Sequence, residues 1–154
     1  MAGKGNVQDP AFPLPIKSNI GHEFMDLNQL DFEIEFYQSI LQRYPEYVDV
    51  LRILGNNLTI KGRVTEGLNI DLRLVQLRPL DYLAHYNLAC SFSLLRQTEP
   101  ALAALRRAIE LGYRDFRYMS QDRDLENIRH DPRYRQLLSE FELAMLNQSK
   151  YRQA

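Results

Sequence analysis

A chain of 154 residues, 45% hydrophobic and 25% charged, is long enough for one domain with a sizeable core and too balanced in composition for a disordered or fibrous chain. Its net charge of −1 argues against broad electrostatic attraction to nucleic acid or to an anionic membrane. The single cysteine, Cys90, excludes an intrachain disulfide framework and a cysteine-rich zinc site, and no run approaches the roughly 18 apolar residues that span a bilayer.

Residues 1–25 contain Gly3, Gly5, Pro10, Pro13, Pro15 and Gly21 without a sustained helical period. They predict an irregular arm, disordered through at least Gln8. Within it, "AFPLPI" is too short and too broken by Pro13 and Pro15 for a secretory apolar region, so a cytoplasmic location is expected. Helix is expected from Asp31, a candidate N-cap for "FEIEFYQSILQRYP". There Phe32, Phe36, Ile40 and Leu41 make an apolar stripe that Pro45 stops.

Four further helices follow. "EYVDVLRILGNNLTIKG" ends at Lys61-Gly62. "TEGLNIDLRLVQLRP" has Thr65 as a candidate cap and Pro79 beyond its end. "DYLAHYNLACSFSLLR" starts after Asp81, and "TEPALAALRRAIELG" has Thr98 as cap, Pro100 in its first turn and Gly112 as terminator. The last third predicts a short helix over 116–119, a turn around 125–128, and a longer helix opened by Asp131-Pro132. That helix carries Tyr134, Leu137, Leu138, Phe141 and Met145 on one side. No segment alternates with the two-residue period of a half-buried strand, so the expected class is all-α.

The helices recur. Val48 and Tyr82 stand 34 residues apart, at equivalent places in two helical hairpins. The first hairpin supplies Leu51, Leu54-Gly55 and Leu58; the second supplies His85, Leu88-Ala89 and Phe92, then Ala101, Leu105 and Ala108 on its second helix. A two-helix unit with this period resembles the tetratricopeptide repeat family, in particular small bacterial-type members with a divergent closing repeat. The small residues Gly55 with Gly67, and Ala89 with Ala101, are then the places where paired helices approach closely. The resemblance divides the chain into the arm (1–25), a half repeat consisting of a second helix only (26–47), full repeats at 48–81 and 82–115, a divergent closing repeat (116–148) and a tail (149–154). It departs from the family pattern at Asp71, where an apolar residue is usual, at Arg96 in place of the turn glycine matched by Gly62, and at Tyr113 in place of the closing proline.

The resemblance implies an α-α right-handed superhelix whose first helices line a concave groove. It implies a non-catalytic adaptor for a protein or peptide, with no cofactor, acting as a monomer or weak homodimer. The residues it turns into the groove are Arg52, Asn56 and Thr59, then Leu83, Tyr86, Asn87 and Cys90, then Arg117 and Gln121. One subgroup of the family grips a partner's C-terminal carboxylate with Lys/Arg and Asn residues. Arg52, Asn56, Asn87 and Arg117 match that clamp by position, while Gln121 stands where a second Arg is expected.

Other classes find less support. His22, His85 and His130 have no neighbours at metal-ligand spacing, and a packed or half-buried role is expected for His85. "DRDLENIRHD" begins like a calcium loop at Asp122 and Asp124 but has Asn127 at the glycine position and Arg133 at the closing Glu position. There is no phosphate-binding glycine loop and no nucleophile elbow. An enzyme, or an RNA-binding helical repeat, therefore stands as the alternative of a different class. Charge is uneven: residues 1–47 hold three basic and seven acidic side chains, a net of −4, while 106–135 hold eight arginines and six carboxylates, a net of +2. Two solvated mixed faces account for this. Finally, Phe32, Phe36 and Ile40 lack the helix that would normally cover them. Residues 11–25 are expected to pack there in non-helical form, with dimerisation through the same face as the competing outcome.

Overall fold

Glycines and a capping carboxylate punctuate the described part of the chain. The structure, a computed structural model, describes residues 27–151, with side chains from 29 to 143. Among these residues it is all-α, without strands. Helices α1 (Leu27–Arg43), α2 (Val48–Ile60), α3 (Val64–Leu77), α4 (Tyr82–Leu94) and α5 (Thr98–Glu110) each pack against the next in sequence. The chain closes with α6 (Phe116–Gln121), a 3-10 turn (Arg123–Leu125), α7 (Glu126–Arg129) and α8 (Pro132–Tyr151). The arm expected over 1–25, and its packing on α1, lie outside the described residues. The tail expected from residue 149 is helical to Tyr151.

Three helix ends share one chemistry. After α2, Gly62 takes φ +83°, its N–H reaches Thr59 O at 3.0 Å, and Arg63 N–H reaches Leu58 O at 2.8 Å. After α4, Arg96 takes φ +58° and the same pair of bonds forms from Arg96 to Ser93 O (2.9 Å) and from Gln97 to Phe92 O (2.9 Å). Gly112 ends α5 in the same way, with Tyr113 N–H bonded to Ala108 O at 2.9 Å. These paired bonds satisfy carbonyls that a helix end otherwise leaves open. Arg96 adopts the left-handed conformation despite its Cβ, because the turn length between α4 and α5 matches that between α2 and α3.

Those tight turns explain two corrections. The residue that follows Gly62 or Arg96 is already the N-cap of the next helix, so α3 starts at Val64 behind Arg63 and α5 at Thr98 behind Gln97, neither with a side-chain cap bond. Thr65 and Thr98 therefore lie within the first turns and cap nothing. Asp81 does cap α4, accepting from Leu83 and Ala84 N–H. Asp31 is a third correction. Helix α1 begins at Leu27, so Asp31 lies inside it, with its carboxylate 2.8 Å from Lys61 Nζ, just beyond the end of α2.

Helix α4 is the centre of the molecule. Its buried residues, among them Ala84, Tyr86, Leu88, Ala89 and Ser91, take up most of its circumference and leave Leu83 and Asn87 on the remaining strip. It packs on α3, α5, the 3-10 turn and α7. The largest apolar cluster joins α4 and α5 to Met119, Leu125, Ile128, Tyr134 and Leu137 of the closing elements. Smaller clusters join Leu30 and Ile34 to Leu54 and Leu58, and Leu51 to Leu74 and Ala84. Ala89, Ala101 and Ala108 are fully buried. A Cβ added at Gly67 would lie 3.0 Å from Thr59 Oγ1 and 3.4 Å from Gly55 O, so α2 and α3 meet at these two glycines.

The expected stripe on α1 is corrected as well. Leu30 and Ile34 are buried against α2, with Tyr37 and Leu41 half-buried beside them, while Phe32 and Phe36 are 63% and 50% exposed. Both sets recur at helical spacing, and the set facing α2 is the one the neighbouring helix covers.

Candidate binding face

The helix starts at Val48, Tyr82 and Phe116 are spaced 34 residues apart. On α2, Arg52 and Asn56 are one turn apart; on α4, so are Leu83 and Asn87; on α6, so are Arg117 and Gln121. Asn56 and Asn87 are half-buried, and no described residue hydrogen-bonds to either side chain. Leu83 is 36% exposed in the first turn of α4. Arg117 and Gln121 are exposed, and α6 is held at its start by Asp115, which accepts from Tyr118 N–H at 2.9 Å.

The remaining expected residues are engaged internally. Arg52 pairs with Asp81 through Nη2 and Oδ2. Thr59 turns its hydroxyl to Gly55 O at 3.0 Å, beside Gly67 of α3. Tyr86 and Cys90 are 4% and 3% exposed, too buried to present a surface to a partner. Their burial is explained by Asp122, whose Oδ2 accepts from Tyr86 Oη at 2.7 Å and lies 3.8 Å from Cys90 Sγ. Asp122 Oδ1 accepts from Asp124 N–H at 3.0 Å. The pair of aspartates that opens like a calcium loop thus folds its own turn and ties it to α4.

An aromatic layer seals this cluster. The rings of Tyr86 and Tyr113 stack with centroids 4.3 Å apart and an interplanar angle of 6°, and the Tyr118 ring lies 6.3 Å from that of Tyr86. Burial, followed by the nearby Cys90 and Asp122, pushes the Tyr86 hydroxyl far above the usual tyrosine range. Burial also raises Tyr113 and Tyr118 above that range. All three are neutral hydrogen-bonding groups at neutral pH, which suits a structural contact rather than proton transfer.

Sequence patterns single out Asp71, Tyr113 and Asp122 but not the partners they take, and they miss Tyr118. Asp71 accepts a 2.6 Å bond from Ser91 Oγ, so the polar departure on α3 is answered by a polar residue on α4. Also unanticipated is an open groove of about 430 Å³ where α1 and α3 flank α2. Its floor includes Leu51, Leu54 and Ile70, and its rim includes Gln38, Asn69 and Arg73. It opens on a different side of α2 from Arg52 and Asn56.

His85 is half-buried, with Nε2 2.9 Å from Pro79 O. Several arginines of the basic stretch are paired: Arg106 with Glu140, Arg107 with Glu110, and Arg133 with Glu99 and Asp131. Among the described residues, no three His, Cys, Asp or Glu side chains are grouped to hold a metal ion. No described helix is long and apolar enough to cross a membrane.

No family model matches the chain. Over 66 residues, 43% of its length, it is 39% identical to a chloroplastic protein of Arabidopsis thaliana. The matched stretch is 20% of that protein, so the chain spans about a fifth of its relative's length.

Proposed function

We propose that this chain is a short tetratricopeptide-type array that binds a segment of another protein across the face made by α2, α4 and α6, without a catalytic step or cofactor. The observation that carries the reading is the 34-residue recurrence of helix starts, which makes α2, α4 and α6 successive first helices, with Asn56 the ninth residue of α2 and Asn87 the sixth of α4. Their half-buried amides have no partner among the described residues. Each amide carries both donors and an acceptor that no described residue uses, so each is free to exchange water for a polar group of a partner. A superhelical stack explains why α4, shared between hairpins, is buried over most of its circumference while Leu83 and Asn87 stay open.

A two-carboxylate clamp is the narrower form of this reading. It is weakened at one corner, because Arg52 already holds Asp81. Catalysis is disfavoured because the chemistry-bearing cluster of Tyr86, Cys90 and Asp122 is buried and internally bonded. RNA binding is disfavoured because Arg106, Arg107 and Arg133 are paired with carboxylates.

The test is site-specific photocrosslinking in the native cell. A crosslinker at Asn56 or Asn87 is expected to capture the same protein, and one at the exposed Ala103 of α5 is not. Equal capture from all three positions would contradict the assignment of the face.

A further inference from the structure

Helix α2 offers one basic side chain, Arg52, and the protein occupies it with a carboxylate of its own. That carboxylate, Asp81, divides its work between its two oxygens. Oδ1 caps α4, accepting from Leu83 N–H at 2.9 Å and Ala84 N–H at 3.3 Å. Oδ2 receives the Arg52 guanidinium. The two side chains are still reachable by water, 27% and 20% exposed. Breaking the ion pair therefore neither uncovers a buried charge nor removes the helix cap.

An arginine paired with a carboxylate is also the unit by which a protein recognises an acidic group on a partner. We propose that Asp81 is a built-in competitor for a partner's carboxylate at Arg52, an autoinhibitory contact that weakens acidic ligands and leaves neutral ones unaffected. This rests on the binding-face reading above. The contact is suited to exchange: water-accessible pairs are weak, and the geometry of the cap is independent of Oδ2. An incoming carboxylate displaces Oδ2 from the guanidinium while Oδ1 keeps α4 in place. Lifting the competition should tighten an acidic ligand by about fivefold, the equilibrium equivalent of one exposed ion pair.

Asp81→Asn isolates the effect, because asparagine caps a helix as well as aspartate does but brings no charge to Arg52. The probes are acetylated tetra-alanine with a free C-terminal carboxylate, its C-terminal amide, and an amidated tetrapeptide with one internal glutamate. Binding is read by nuclear magnetic resonance from the Arg52 Nε–H and the side-chain amides of Asn56 and Asn87. The expected result is about fivefold tighter binding of a carboxylate probe to Asp81→Asn than to the wild type, with unchanged helicity and no gain for the uncharged amide. Adding Arg52→Gln should abolish the gain, and the two acidic probes tell a chain terminus from a side-chain acid. Because the effect is a gain of affinity, structural damage cannot imitate it. Equal affinity in wild type and Asp81→Asn overturns the competition, yet shifts at Asn56 and Asn87 would then still support the face. Absence of binding to either protein also overturns it, and the face is judged separately by the crosslinking experiment.

Discussion

Tyr86→Phe removes one oxygen atom and leaves the ring stack on Tyr113 in place, so it tests chiefly the bond to Asp122. Asp122 is 7% exposed, and its Oδ2 takes the Tyr86 hydroxyl at 2.7 Å. Once that donor is gone, the thiol of Cys90 at 3.8 Å is a weak substitute, and Asp124 N–H serves the other oxygen. Hydrogen bonds to charged groups contribute about 1.5–3 kcal/mol, and a buried acceptor stripped of its partner lies within that range. A loss of about 2 kcal/mol is therefore expected, a fall in melting midpoint of about 4–8 °C for a domain of this size. Urea unfolding followed by far-ultraviolet circular dichroism measures it, and an unchanged denaturant slope would confirm that only stability has moved. The cycle completed by Asp122→Asn should return a coupling of about 1–2 kcal/mol. A Tyr86→Phe protein within about 0.3 kcal/mol of the wild type would refute the reasoning, because a buried bond to a carboxylate cannot be lost at so small a cost. Binding of a partner should be unaffected, since the hydroxyl faces inward.

The other predictions concern packing, backbone and pH. Ala101→Leu adds atoms where α4 and α5 are in contact and the residue is fully buried, so it should lose about 1–3 kcal/mol by the same assay; an unchanged midpoint would mean the close contact is absent. Arg96→Gly should stabilise by about 0.5–1 kcal/mol by relieving a left-handed non-glycine residue, while Gly62→Ala, with open space around the new Cβ, should destabilise by about 1 kcal/mol through backbone strain alone. Tyr86, Tyr113 and Tyr118 have folded pKa values above the unfolded value of 10.0, so their contribution is complete below that pH and is lost as pH rises beyond it. Tyrosinate absorbance should show these three ionising only as the protein unfolds; their ionisation while the fold persists would contradict the sealed cluster.

Local chemistry was legible in the sequence where a residue acts on its own backbone. Gly62 and Gly112 end helices, Asp81 caps one, and Asp131-Pro132 opens another, because each needs only the few residues beside it. Thr65 and Thr98 misled because the left-handed turn before each consumes the capping position. Phe32 and Phe36 misled for a different reason: α1 carries two apolar sets at helical spacing, and only the position of α2 decides which is buried. The site divided in the same way. Asn56, Asn87, Arg117 and Gln121 have no side-chain bond to a described residue, whereas Tyr86 and Cys90 sit on the expected stretch of α4 but are claimed by Asp122, 36 and 32 residues further on. Nothing in local sequence announces a pairing that the closing turn makes possible.

The central claim, that recognition occurs across α2, α4 and α6, is tested most directly by the affinity of the crosslinked partner for an Asn87→Ala, Arg117→Ala double variant, measured calorimetrically against the wild type. Neither side chain is needed to hold the helices together, so helicity and melting midpoint should be unchanged while affinity falls by at least about tenfold, the equivalent of about 1.4 kcal/mol. Affinity equal to that of the wild type, in a protein equally folded, would contradict the account.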